Sequence, residues 1–167
     1  SYVEGIDVSA VKVVGVNPNN PSRYGLPTVM ATIILLDLKS RAPLAIMGGT
    51  WITAMRTGAA GGVAAKYLAR KNSKTIGLVG AGTQARTQLI ALLILYGSLE
   101  EIRVYDINQS ARETYVSEMK NTYGDRIKKI FTVEEVKDAV KGADIVVTTT
   151  PSRKPLVMNE WVEEGTH

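Results

Sequence analysis

Gly80, Gly82 and Ala85 stand at the spacing G-x-G-x-x-A. In that pattern the first glycine permits a tight turn and the second lets an anion approach the backbone. The third small residue packs a new helix against the strand just left. Ala81, Thr83 and Gln84 complete the turn, whose N–H groups and helix-dipole end suit a pyrophosphate. Asp106 follows Gly82 by 24 residues, where a carboxylate accepts hydrogen bonds from an adenosine ribose. A carboxylate there repels a 2′-phosphate, and the next residues, Ile107 and Asn108, bring no arginine to offset it. Together the two motifs predict NAD as the cofactor in preference to NADP.

Other residue types narrow the chemistry. Thr149, Thr150 and Pro151 end an apolar run, and ligands of open parallel sheets lie beyond the carboxyl ends of strands, so these residues are expected at the cofactor crevice. For Thr148, β-propensity at a strand end is a sufficient account. Arg56 is a cation inside a segment rich in alanine and glycine, a setting that favours a bound anion over a merely solvent-facing charge. His167 is the single histidine and there is no cysteine, so neither a Ser-His-Asp triad nor a His or thiolate metal cluster is expected, and no metal site is assigned. The carboxylate pairs Glu134/Glu135 and Glu163/Glu164 read as solvated charges on helix surfaces.

The elements that must hold these residues follow from periodicity and turn chemistry. Ile76, Leu78 and Val79 form a short apolar run, as a strand buried on both faces does, and Thr83–Tyr96 is a helix apolar along Leu89, Leu92, Leu93 and Tyr96 with Gly97 as its stop. A second strand is predicted over Ile102–Ile107 and a helix over Gln109–Tyr123, with Asn108 as N-cap and Gly124 as stop. A third strand is predicted over Ile127–Phe131. Thr132-Val-Glu-Glu135 matches a capping box before a helix ending at Val140. A fourth strand is predicted over Ala143–Thr150.

Residues before this region follow a different pattern. Val8–Val16, Thr28–Leu38 and Leu44–Met47 read as strands with short connections, hence an antiparallel sheet. Asn17–Pro27, with its prolines and asparagines, reads as a loop. A long helix then runs from about Thr50 to Leu68 and contains Gly58, Gly61 and Gly62. Each glycine costs about 1 kcal/mol of helix propensity relative to alanine, so this helix is expected to lie against a neighbour that leaves no room for a Cβ. Trp51 and Trp161 are read as packing or interface residues.

Composition bounds the rest. With 167 residues, 45% hydrophobic and 22% charged, the chain is globular and long enough for a core. No apolar run is long enough to span a membrane. The net charge of +4 comes from scattered lysines and arginines without interleaved aromatics, which argues against a nucleic-acid surface. The absence of cysteine and of signal-peptide character at the N-terminus gives the expectation of a cytoplasmic protein.

Three segments together carry a resemblance: Met55-Arg-Thr-Gly-Ala-Ala60, Gly80-Ala-Gly-Thr-Gln-Ala85 and Thr148-Thr-Thr-Pro-Ser152. They resemble the ornithine cyclodeaminase/mu-crystallin family and look nearest to its archaeal alanine dehydrogenase branch. The resemblance implies an α/β protein. Residues 1–52 are expected to be part of a substrate-binding and dimerisation domain of antiparallel strands, and 53–167 an NAD-binding Rossmann-type domain with a parallel sheet. It also implies that family residues acting on the substrate fall before Ser1 and after His167, so the chain is expected to be truncated at both ends. Lys12 then resembles the family lysine beside the substrate carboxylate and reacting carbon, and Arg56 the arginine that reaches both substrate carboxylate and cofactor. Thr28 resembles a threonine near the nicotinamide.

The implied activity is hydride transfer between Cα of a small amino or imino acid and NAD by a homodimer, as in an alanine dehydrogenase. Arg56 can bind the substrate carboxylate with its guanidinium fork; Lys12 can hold the other oxygen, or take a proton if desolvation lowers its pKa. Ornithine cyclodeaminase or ketimine reductase activity shares the same first chemistry. A mu-crystallin-like protein that binds the dinucleotide without turnover is the alternative from another class.

Overall fold

The computed structural model describes residues 2–3 and 8–167. Contacts divide the chain into two units, Ser1–Met55 and Arg56–His167, with the division inside one long helix.

The first unit is an antiparallel sheet in the order β1-β2-β3-β4: β1 Tyr2–Val3, β2 Val8–Val16, β3 Val29–Asp37 and β4 Pro43–Gly48. Cross-strand register puts Lys12 opposite Ile33 and Ile33 opposite Met47, while Val11 stands opposite Ile34 and Ile34 opposite Ile46. Strand neighbours alternate between faces, so these two sets lie on opposite sides of the sheet. The loop expected over Asn17–Pro27 contains a short helix, α1, Asn20–Tyr24. Pro21 sits in its first turn, where a missing N–H costs nothing, and Gly25 closes it in the left-handed region at φ 62°. The same proline that stops a strand thus starts a helix.

The second unit is doubly wound. Its strands β5 Thr75–Val79, β6 Leu99–Tyr105, β7 Ile127–Thr132 and β8 Ile145–Thr148 are all parallel and lie in the order β7-β6-β5-β8. The order reverses between β5 and β8, the switch point beyond which ligands of such sheets sit. The helices are α2 Thr50–Leu68, which begins in the first unit, α3 Thr83–Tyr96, α4 Gln109–Tyr123 and α5 Val136–Val140. Ile76, Leu78, Ile102 and Val104 of the sheet pack with Leu89, Leu92 and Leu93 of α3 and with Tyr115 and Met119 of α4. Trp161 packs against a smaller cluster around Val79 and Val140.

Three boundaries differ from the sequence reading. β6 starts at Leu99, hidden from a hydrophobicity reading by Glu100 and Glu101, and it ends at Tyr105 so that Asp106 opens the following loop. Glu101 stands opposite Lys129 and takes its ammonium at 3.2 Å, so these charges belong to the sheet. The capping box does not form, because Thr132 pairs with Val104 as the last residue of β7; the helix starts after Glu135, which makes no side-chain cap. β8, Ile145–Thr148, is shorter than expected at both ends; Thr149 just beyond it still donates its N–H to the Val79 carbonyl at 2.8 Å while its hydroxyl holds the glycine turn.

The small-residue stripe on α2 finds its partner in α3. A Cβ on Gly58 would lie 2.4 Å from the Thr87 carbonyl oxygen, one on Gly61 1.9 Å from Gln88 Oε1, and one on Gly62 2.9 Å from the Ala91 Cβ. Gln88 Nε2 also donates to the Thr57 carbonyl at 3.3 Å. The expectation of a close backbone neighbour is thereby met.

Candidate cofactor site

Gly80 is in the left-handed region at φ 104°, and a Cβ there would lie 2.9 Å from both the Thr149 carbonyl oxygen and its Oγ1. The turn at the end of β5 therefore requires glycine. It is tied on both sides: Gly80 N–H donates to the Tyr105 carbonyl at 2.8 Å, and Thr149 Oγ1 donates to the Gly80 carbonyl at 3.1 Å. Gly82 is different. Its backbone is extended, and nothing lies within 4 Å of where its Cβ would be, so the second glycine opens a space against the backbone. Gly82 is also the N-cap of α3, and no side chain caps that helix. The first-turn N–H groups of Thr83 and Gln84 thus lie at the positive end of the helix dipole with no side-chain cap from the N-cap residue.

Asp106 is half-buried at the mouth of this turn. Its Oδ2 accepts the Ala81 N–H at 2.8 Å and its Oδ1 accepts the Asn108 N–H at 2.9 Å. Each carboxylate oxygen has a second lone pair, so the group can still accept from a ribose diol while fixed to the turn. Asn108 caps α4 as expected, its side chain accepting the Ala111 N–H at 3.1 Å.

The remaining expected residues are placed as follows. Thr149 orients the turn through its hydroxyl, and Thr150 Oγ1 accepts the Ser152 N–H at 3.3 Å beside the exposed Pro151. Thr148, Thr150, Ser152 and Lys154 line a hollow at the carboxyl end of β8. Arg56 is exposed on α2 and takes part in no ion pair among the described residues. In the first unit, Lys12 is exposed on β2 and its Nζ donates to Thr53 Oγ1 at 3.3 Å. Thr28 is half-buried before β3, its carbonyl accepting the Asn17 N–H at 2.9 Å. Lys12 and Thr28 do not touch.

Several residues that hold the site carry no motif. Arg112, buried on α4, donates from Nη1 to the Asp106 carbonyl at 3.1 Å and from Nη2 to the Glu134 carboxylate; its Nε is buried without a hydrogen-bond partner among the described residues. Glu134 is largely exposed, as a solvated charge is, but it also carries an ion pair to Arg112 that the sequence did not signal. Arg86 on α3 donates to the Ala81 and Gly82 carbonyls and to the Glu118 carboxylate of α4. The hydrogen bonds from Arg86 hold the Glu118 carboxyl below the usual carboxylate range. The buried Tyr115 hydroxyl donates to the Ala85 carbonyl at 3.1 Å, and burial pushes its phenol well above the ordinary value. The one sequence signal for this set is the spacing of Arg112, Tyr115 and Glu118, which puts all three on one face of α4.

The ornithine cyclodeaminase/mu-crystallin family model matches residues 1–167. The chain belongs to that family. It is 46% identical over 159 residues to the alanine dehydrogenase of Archaeoglobus fulgidus, a match covering 95% of this chain and 47% of that protein. Among solved structures, Thermococcus litoralis Delta(1)-pyrroline-2-carboxylate reductase in complex with NADH and L-proline aligns at TM-score 0.88 and 50% identity, over 95% of this chain and 47% of that one. An archaeal alanine dehydrogenase dimer with bound NAD aligns at TM-score 0.87 and 45% identity, over 97% of this chain and 48% of that one. The chain spans about half the length of these relatives. No described helix is long and apolar enough to cross a membrane.

Proposed function

We propose that this chain is the NAD-binding and part of the substrate-binding portion of an NAD-dependent oxidoreductase that acts on Cα of a small amino or imino acid. The observation that carries the reading is the joined pair of motifs: the Asp106 carboxylate is hydrogen-bonded to the turn at Ala81, next to the open backbone at Gly82. That geometry fits a dinucleotide, with the pyrophosphate on the uncapped start of α3 and the ribose hydroxyls on Asp106. When bound, NAD supplies a hydride acceptor for the substrate Cα.

The chain's own groups supply binding and orientation. The N–H groups of Thr83 and Gln84 hold the pyrophosphate, and Thr150 and Pro151 border the cofactor at the end of β8. Arg56, without an ion-pair partner among the described residues, is assigned to a carboxylate of the substrate, which a guanidinium fork binds in two hydrogen bonds. Lys12 is assigned to the substrate as hydrogen-bond donor or proton carrier, and Thr28 to the nicotinamide end. The relatives include a dehydrogenase that is named for alanine and a reductase solved with NADH and L-proline. Both names support a small α-amino or α-imino acid as substrate.

We further infer a homodimer. Val11, Val13, Leu44 and Ile46 leave one face of the first sheet apolar and exposed, with Ile46 at 72% of its surface, and one of the relatives is solved as a dimer. Sedimentation of the protein as a monomer would contradict this.

The direct test is turnover. The full-length protein that contains this chain is incubated with NAD and L-alanine, L-ornithine or L-proline, and with NADH and a cyclic imino acid, while absorbance of the reduced nicotinamide is followed. A change with at least one of them is expected. Binding of NADH without turnover of any substrate would favour a dinucleotide-binding protein instead.

A further inference from the structure

Arg86 belongs to none of the fingerprint positions, yet it makes more contacts with the glycine turn than any fingerprint side chain does. Its Nη1 donates to the Ala81 carbonyl at 2.9 Å and to the Gly82 carbonyl at 3.1 Å. Its Nε and Nη2 donate to Glu118 Oε2 at 2.9 and 2.5 Å, so the guanidinium bridges the turn to α4. Its Cζ lies 5.2 Å from the centroid of the Tyr115 ring, and Tyr115 is itself fixed by its bond to the Ala85 carbonyl. The fork is held on one side by an anion, beneath by a ring, and on the other side by two peptide carbonyls.

A trans peptide is planar, with its C=O and N–H pointing in opposite directions. Pinning the Ala81 carbonyl therefore aims the Gly82 N–H away from Arg86, and pinning the Gly82 carbonyl does the same for the Thr83 N–H. Both N–H groups then point away from the Arg86 guanidinium, and the turn is open at Gly82, where nothing lies within 4 Å of a Cβ position. We propose that Arg86 is a positioning residue: through the Ala81 and Gly82 carbonyls it presets the Gly82 and Thr83 N–H groups to receive the pyrophosphate. This rests on the dinucleotide reading given above. Preset donors bind an anion without first ordering the loop, which removes an entropic cost from association.

The proposal differs in sign from a simpler one. If Arg86 acted by its charge alone, neutralising Glu118 would leave more positive potential near the pyrophosphate and tighten binding. As a clamp, Arg86 needs Glu118 to hold its fork, and the same change loosens binding.

The test titrates the protein, Arg86→Met and Glu118→Gln with NADH and with ADP-ribose, and records the amide spectrum and melting temperature of each. ADP-ribose keeps the pyrophosphate and lacks the nicotinamide. In Arg86→Met both ligands are expected to bind about tenfold more weakly, the loss of roughly one well-oriented donor to an anion. Glu118→Gln is expected to weaken both by a smaller factor, and the Gly82 and Thr83 amide signals are expected to broaden in both variants. Tighter binding by Glu118→Gln would overturn the clamp, as would unchanged ADP-ribose affinity in a folded Arg86→Met. Failure of the unsubstituted protein to bind either ligand would defeat the dinucleotide reading itself, and with it the clamp.

Discussion

At the scale of single residues, Arg112 fixes the Asp106 carbonyl and Arg86 the Ala81 and Gly82 carbonyls, so two arginines hold the turn and its carboxylate in place. Gly80, Gly82 and Asp106 stand at the spacing of a Rossmann fingerprint, which is a local pattern that a sequence displays directly. Arg112 and Arg86 act through backbone carbonyls, which are the same in every residue and leave no mark on the sequence. Arg112 supports a prediction of its own. Its guanidinium is buried while the side chain of its partner Glu134 is 78% exposed, and one of its nitrogens is unpaired among the described residues. Removing the anion leaves a buried charge, whereas removing the cation leaves an exposed carboxylate that water can solvate. Glu134→Ala is therefore expected to cost about 1–3 kcal/mol and Arg112→Met less than about 1 kcal/mol, read from urea midpoints. The reverse order would show that Arg112 packs rather than pairs.

At the scale of elements, helices and strands were read best where local pattern and long-range packing agree. β5, α3 and α4 lie where periodicity puts them. The capping box failed because sheet pairing claimed Thr132, and α1 was missed because Pro21 was read only as a strand breaker. The glycines of α2 separate two kinds of close contact. A methyl on Gly58 meets the Thr87 backbone, which cannot yield, while one on Gly61 meets the end of the Gln88 side chain, which can swing away. Gly58→Ala is expected to lose about 1–3 kcal/mol to overpacking despite the better helix propensity of alanine. Gly61→Ala should change stability far less; equal effects in chemical denaturation would argue against this packing.

Asp144 joins elements by charge. It accepts the Lys74 and Thr75 N–H groups at 2.7 and 2.9 Å and Arg70 Nη2 at 2.7 Å, tying the start of β8 to that of β5. Burial works to raise its pKa, but these donors outweigh it and keep the carboxyl below the ordinary 3.8. Its contribution is thus complete above the ordinary carboxylate range and disappears as pH falls through the lower folded value. The stability gap between the protein and Asp144→Ala is expected to be constant from neutral pH to about pH 5 and to narrow below it. A gap independent of pH down to full acid denaturation would rule out the ionised carboxylate as its source.

At the scale of the whole molecule, the chain joins an antiparallel unit with an exposed apolar face to a parallel unit whose strand order reverses beside a glycine turn. The two units were distinguishable in the sequence because strands joined by short connections read as antiparallel, whereas strands alternating with helical stretches read as a parallel sheet. Substrate identity was not legible, since pocket shape depends on side chains from separate stretches. The central claim is that the parallel unit binds NAD, with Asp106 reading the ribose. The measurement that tests it most directly is a paired titration of the protein and of Asp106→Ala with NADH and NADPH, followed by nicotinamide fluorescence. The account predicts that the protein binds NADH more tightly than NADPH and that Asp106→Ala removes most of that preference. Tighter binding of NADPH, or a preference unchanged by Asp106→Ala, would contradict it.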